Sequence, residues 1–518
     1  MAPKHKTLVL DGRSLTLQDL APLFEEGPLA EVRLAIAPAA KQRVRAAREV
    51  VERAIAGGAP VYGVTTGFGK LKNQFIPEGD LAELQENLIL SHCCGIGPNM
   101  PIPEVRCAQV LRLNGLLRGH SGITLELAEA LLELFHAQFV PLVPQKGSVG
   151  ASGDLAPLSH MAAAYLGHGE VCLRGKGMSA RAALKRIGRK PLVLRAKEGL
   201  ALINGTEIIK SIAVGALLRA ENASKAADAL AALSIEALLG SARPFDARFA
   251  ELKGQPAHAR AAANVRRCLA GSQVLASHAD CDRVQDPYSL RCVPQIHGAF
   301  KAAFAHVREI VCNELNAVTD NPIVFPESGE VVSAGQFHGQ PLSVVLDYLG
   351  LALATLANVS ERRIEQLVNP DLSHLPAFLT PKPGLNSGFM IAQVAAAALA
   401  SENKVLAHPA SVDTIPTSAN QEDHVSMGVT AARKAVEIVG NVEHVLALEW
   451  LAAAQAREFH SELRAGKGAA AAHALLREFV PALKRDRYLA GDIRTACELL
   501  RSGELVRAVE RAAGKLES

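Results

Sequence analysis

Four stretches of this chain, 297–316, 341–368, 388–406 and 428–459, run for many helical turns with few breakers. Helices of that length exceed the ordinary globular helix. They are rich in Ala and Leu nearly all round, so they must be covered on most sides. A parallel bundle, extended by other subunits, is the simplest arrangement that covers them. The composition agrees: hydrophobic residues make up 49% of the 518 positions and aromatics only 4%, so the core is built from Ala, Leu, Val and Ile. A chain of this length has room for two or three domains.

The most lipid-like stretch, 341–360, contains Asp347 and runs into Glu361-Arg362-Arg363. That favours a buried helix in an oligomer core over a membrane span. The first ~260 residues are more broken up. Strand-like runs at 7–10, 171–173 and 192–194 alternate with helical spacing at 44–55 and 122–135. Prolines, glycine and charges at 241–257 read as a boundary, dividing the chain into 1–260 and 261–518. The alanine-rich stretch 466–474 precedes shorter helices over 475–516, with Asp492 as a local cap. The expected fold is mainly α, a mixed N-terminal domain followed by a bundle of long helices.

Net charge is +3 and no basic run stands out, so nucleic-acid binding is unsupported. Nine cysteines include the adjacent Cys93 and Cys94 but no CxxC pair, and no HExxH occurs. This reads as reduced cytoplasmic thiols and no protein-bound metal. Residues 1–20 lack a signal-peptide core.

The chemistry concentrates in a few motifs. Ala151-Ser152-Gly153 lies in the glycine-rich run from Gly147 to Leu158. Small residues there let an amide nitrogen approach a carbonyl of its own backbone, and Asp154 and Pro157 read as a helix opening. Alone, three such residues are an ordinary turn. Tyr62 stands at the mouth of a loop with three glycines, Gly63, Gly67 and Gly69, which can close over a ligand. Asn204 precedes a glycine, and Arg291 follows Gln285 and Tyr288 in a polar turn; Arg can hold a carboxylate by two parallel bonds. Each has a plain structural reading when taken singly.

Together these motifs resemble the aromatic amino acid ammonia-lyases, from Leu8 to about Arg494. The resemblance implies a fumarase/aspartase-like architecture. It implies that Ala151, Ser152 and Gly153 cyclise autocatalytically to 4-methylidene-imidazol-5-one (MIO), with no external cofactor. Tyr62 is then the base that takes the β-proton, which requires a phenol pKa below its usual value of about 10. Arg291 clamps the substrate carboxylate, and Tyr288 and Gln285 lie against the MIO and the amine. Asn204 supports the MIO oxygen in the manner of an oxyanion hole. Phe337 is the aromatic residue packed near the MIO.

Two positions speak to the substrate. Ser91-His92 is the pair of histidine-type members, where phenylalanine-type members carry Phe-Leu and many tyrosine-type ones His-Leu. His92 can hydrogen-bond an imidazole. Gln421-Glu422 carries the glutamate typical of histidine-specific members. Both point to L-histidine as substrate, with ammonia and urocanate as products. Gln336 stands where the family usually has Asn, Gln340 where histidine-type members often have Glu, and Val293 where Gln is common. The open alternatives are a tyrosine or phenylalanine lyase or a 2,3-aminomutase. From other classes come a hydrolase using Ser152, without a GxSxG elbow, and a non-catalytic helical assembly protein. The resemblance also implies a homotetramer with shared active sites.

Overall fold

The computed structural model describes every residue except 1–6, 26–31, 59, 68 and 282. The four long runs fold as the helices Val293–Glu314, Gln340–Val368, Met390–Leu406 and Gly428–Arg457. A fifth, Glu207–Ala237, is the longest at 31 residues and lies in the region expected to be broken up. It is buried around nearly its whole circumference, so no solvent face gave it an amphipathic period. Among its buried charged residues, Lys210 pairs with Glu207 of the same helix, and Asp228 with Lys301 of a neighbouring one.

The chain forms two compact units that interleave along the sequence. The first comprises 1–215, 309–346 and 409–433; the second comprises 216–308, 347–408 and 434–518. The sequence boundary at 260 marks a change in composition. The unit boundaries instead fall mostly inside long helices, where no loop chemistry announces them.

The first unit is the mixed one and contains every strand among the described residues. Thr7–Leu10 pairs in parallel with Arg33–Ile36, and Phe139–Pro141, Glu170–Leu173 and Lys176–Ser179 form an antiparallel sheet. The run 192–194 is not a strand. It follows Pro191, makes one backbone bond (Leu192 N–H to Tyr165 C=O, 3.0 Å) and leaves Val193 85% exposed. The run 44–55 lies in the helix Pro38–Ala56, and all but the first three residues of 122–135 lie in Leu125–His136, which Thr124 caps.

The second unit is the helical bundle. Arg363 and Glu449, both fully buried, pair at 2.5 and 2.8 Å, and the Ser234 and Ser360 hydroxyls donate to the same carboxylate. Such saturation is what makes a buried ion pair tolerable. Asp492 does not cap a helix; it sits in the first turn of Leu489–Arg501 and pairs with Arg487 at 2.8 Å. The helix Gln340–Val368 is long and apolar enough to cross a membrane, but its apolar window is 67% buried within the protein. Its exposed positions 341, 344, 348, 351, 355, 358 and 362 alternate in steps of three and four. They form one narrow seam, apolar at Val344, Tyr348 and Leu351.

Candidate active site

The turn that carries Ala151-Ser152-Gly153 is held from three distant segments. Gly339 N–H and the Ser426 hydroxyl donate to the Gly150 carbonyl at 3.1 and 2.9 Å, and Met427 N–H donates to Val149 at 2.8 Å. Gly153 bridges in parallel to Gly205. Gly153 has φ +71°, and a Cβ there would overlap the Gly205 backbone. Only glycine fits that approach.

The helix Leu155–Tyr165 begins where the Asp154-Pro157 pattern placed it, but the Asp154 side chain does not cap it. Its Oδ2 accepts from Ile208 N–H and Ile209 N–H at 3.0 and 2.9 Å, in the first turn of Glu207–Ala237. Burial pushes the Asp154 carboxyl up to about 7 against those two donors, and Glu207 adds to the rise.

Beneath the turn lies a buried charge network. Arg112 Nη1 donates to the Asn204 carbonyl at 2.9 Å and to Glu207 Oε2 at 2.7 Å. Lys210 and Thr319 donate to Glu207 Oε1, both at 3.0 Å. Burial raises the Glu207 carboxyl, but Arg112 and Lys210 outweigh it and hold it down to about 2. Asn204, fixed through its backbone, donates from Nδ2 to the Ser152 carbonyl at 2.8 Å. Its buried Oδ1 has no partner.

Above the turn opens a cavity of about 1280 Å³, lined entirely by the first unit. Tyr62, His92, Ala151, Ser152, Asn204, Phe337, Gln421 and Glu422 line it, so eight sequence-predicted residues meet there, with Gly153 directly behind. Tyr62 Oη accepts from Gly69 N–H at 3.3 Å, so a backbone donor already faces the oxygen that would carry charge as a phenolate. His92 Nδ1 lies 2.7 Å from the Leu88 carbonyl. A carbonyl only accepts, so Nδ1 carries the proton and Nε2 is left as an acceptor in the neutral ring.

Glu422 is the most connected of these side chains. Oε1 accepts from the Ser152 hydroxyl at 2.5 Å, and Oε2 accepts from the Thr417 hydroxyl at 2.6 Å. Gln421 Oε1 accepts from Lys72 Nζ at 2.9 Å. Gln285, Tyr288 and Arg291 are not in the cavity wall; they belong to the second unit. There the Arg291 guanidinium stacks over the Tyr288 ring at 4.6 Å, and Tyr288 is 68% exposed. Of the departures, Gln336 is exposed, Gln340 Nε2 reaches the Ser411 carbonyl at 3.4 Å, and Val293 is buried.

Sequence reasoning missed Thr417, Lys72 and the stacked pair His338 and His424. Thr417 lies in the same run as Glu422, but only the folded turn shows that its hydroxyl meets that carboxylate.

The glycine-only turn, the amide donor on the Ser152 carbonyl and the unpartnered Asn204 Oδ1 fit a cyclised Ala-Ser-Gly group. Residues 15–478 match the aromatic amino acid lyases, and the chain belongs to that family. It is 48% identical over 505 residues to histidine ammonia-lyase of Myxococcus xanthus, spanning 98% of this chain and 99% of that one. Among solved structures it resembles histidine ammonia-lyase from Trypanosoma cruzi, with TM-score 0.91 and 41% identity over 98% of this chain and 96% of that one. It also resembles tyrosine aminomutase from Streptomyces globisporus, with TM-score 0.92 and 34% identity over 99% of this chain and all of the other. Enzymes of this family and fold use MIO.

Proposed function

We propose that this chain eliminates ammonia from L-histidine to give trans-urocanate, using MIO formed autocatalytically from Ala151, Ser152 and Gly153. One observation carries the reading: the Ser152 hydroxyl lies 2.5 Å from Glu422, so the cofactor precursor and the acid that selects an imidazole share one wall. MIO supplies an electrophile for the substrate amine.

The protein's own groups do the rest. Glu422 accepts the one N–H of the neutral imidazole ring, and His92, on the same cavity wall, flanks the ring and helps set its position. Tyr62, held through Gly69, takes the β-proton. Asn204 donates to the Ser152 carbonyl oxygen, where an amide stabilises developing negative charge. The walls of the cavity align Cβ–H with the base.

Arg291 holds the carboxylate, with Tyr288 and Gln285 beside it, in sites shared between the subunits of a homotetramer. Two features support shared sites: those three residues are absent from the cavity wall, and the Gln340–Val368 seam has apolar positions at the spacing a partner helix needs. No disulfide forms among the nine cysteines, all of them described residues, which supports a reducing, cytoplasmic setting.

Purified protein with L-histidine is expected to accumulate urocanate and release ammonia. Ser152→Ala is expected to lose both the near-ultraviolet absorbance of MIO and most turnover. Cinnamate or coumarate from another amino acid, with no urocanate, would overturn the substrate. A β-amino acid product would overturn the lyase outcome.

A further inference from the structure

We infer that Thr417 is a positioning residue for substrate selection, the group that keeps the Glu422 carboxylate aimed at the imidazole once the cofactor has formed. The inference rests on the reading that Glu422 holds the substrate ring.

In the uncyclised chain each Glu422 oxygen has a hydroxyl donor, Ser152 on Oε1 and Thr417 on Oε2. Forming MIO removes the Ser152 hydroxyl oxygen as water. Oε1 is thereby released to accept the substrate N–H, while Oε2 keeps its bond to Thr417. Of the two hydroxyls, the one from Thr417 survives maturation, and it sets the plane of the carboxylate.

The backbone supports the same role. Thr417 and Glu422 exchange backbone bonds, Thr417 N–H to Glu422 C=O at 2.9 Å and Glu422 N–H to Thr417 C=O at 3.3 Å. Between them Ser418, Ala419 and Asn420 all have positive φ, at 53°, 51° and 66°. Three successive left-handed residues without a glycine form a strained turn that must be held by its surroundings. The Thr417–Glu422 pairs close its base, and Ser418, Gln421 and Glu422 face the cavity from it.

The test separates this role from fold maintenance and from the parent reading. In Ser152→Ala protein, which has neither MIO nor the competing hydroxyl, urocanate binding is measured by calorimetry. Adding Thr417→Val is expected to weaken Kd about 10-fold, the scale of a lost hydrogen bond to a charged group, and Thr417→Ser to restore it. In the otherwise native enzyme Thr417→Val raises KM for L-histidine more than it lowers kcat. In a Glu422→Gln background Thr417→Val has no further effect on KM, because the carboxylate it orients is gone. Unchanged urocanate binding in Thr417→Val overturns the inference, as does an equal loss with and without Glu422. If Glu422→Gln itself leaves histidine and urocanate binding unchanged, the parent reading of Glu422 fails instead.

Discussion

Glu207→Gln is the substitution whose cost the structure specifies most fully. Glu207 is fully buried, yet its carboxyl is held at about 2 against an ordinary 4.5. That difference corresponds to about 3 kcal/mol favouring the charged form in the folded protein. A second route agrees: breaking a buried pair by removing one partner costs about 3–5 kcal/mol, here leaving Arg112 and Lys210 short of a counter-charge. Because the folded value is depressed, the contribution is complete above 4.5 and is lost as pH falls through about 2. The gap in urea stability between native protein and Glu207→Gln should therefore persist from about pH 5 to about pH 9. It should narrow as pH rises through about 7, where Asp154 ionises beside the Glu207 charge in the native protein but beside a neutral amide in the variant. Activity should fall as well, since the Arg112 nitrogen that binds Glu207 also holds the Asn204 carbonyl. Equal urea midpoints at neutral pH, or a gap that has closed by about pH 6, would refute the charge-network argument.

Two further outcomes are expected. Gly153→Ala places a Cβ 2.6 Å from the Gly205 carbonyl carbon and 2.9 Å from its nitrogen, at a φ that costs alanine about 1–2 kcal/mol. It should keep helical circular dichroism but show neither MIO absorbance nor the loss of two waters by intact mass; full absorbance would count against the glycine-only turn. Light scattering should give a tetramer for the native chain and a smaller species for Leu351→Glu, which puts a charge in the apolar seam; a native monomer would sink the shared-site arrangement.

How much of this was legible depended on how local each signal is. Long Ala/Leu runs declared themselves, because a helix without breakers needs no tertiary information to be recognised. Glu207–Ala237 did not, because a helix buried all round has no polar face to mark its period. Residues 192–194 carry strand-forming side chains, but Pro191 and an exposed Val193 leave them without a partner strand. Asp154 was recognisable as a cap, though of the wrong helix, since the choice between two nearby N-termini is made by packing. Tyr62, His92, Asn204 and Glu422 were legible as motifs, and the fold brings them to one cavity. Thr417 was not, because its meeting with Glu422 depends on a turn whose three residues adopt a conformation their side chains disfavour.

The span between Ser152 and Glu422 also sets a clock. The two residues are 270 positions apart, and the donors that hold Gly150 come from Gly339 and Ser426. At roughly 5–20 residues per second, synthesis of that interval takes about 15–50 s. For that time Ala151-Ser152-Gly153 is an ordinary peptide, without the walls that press it into its tight turn. A chain interrupted before the turn at 417–422 never completes them, so under the proposed self-cyclisation such a truncated chain is expected to show no MIO absorbance.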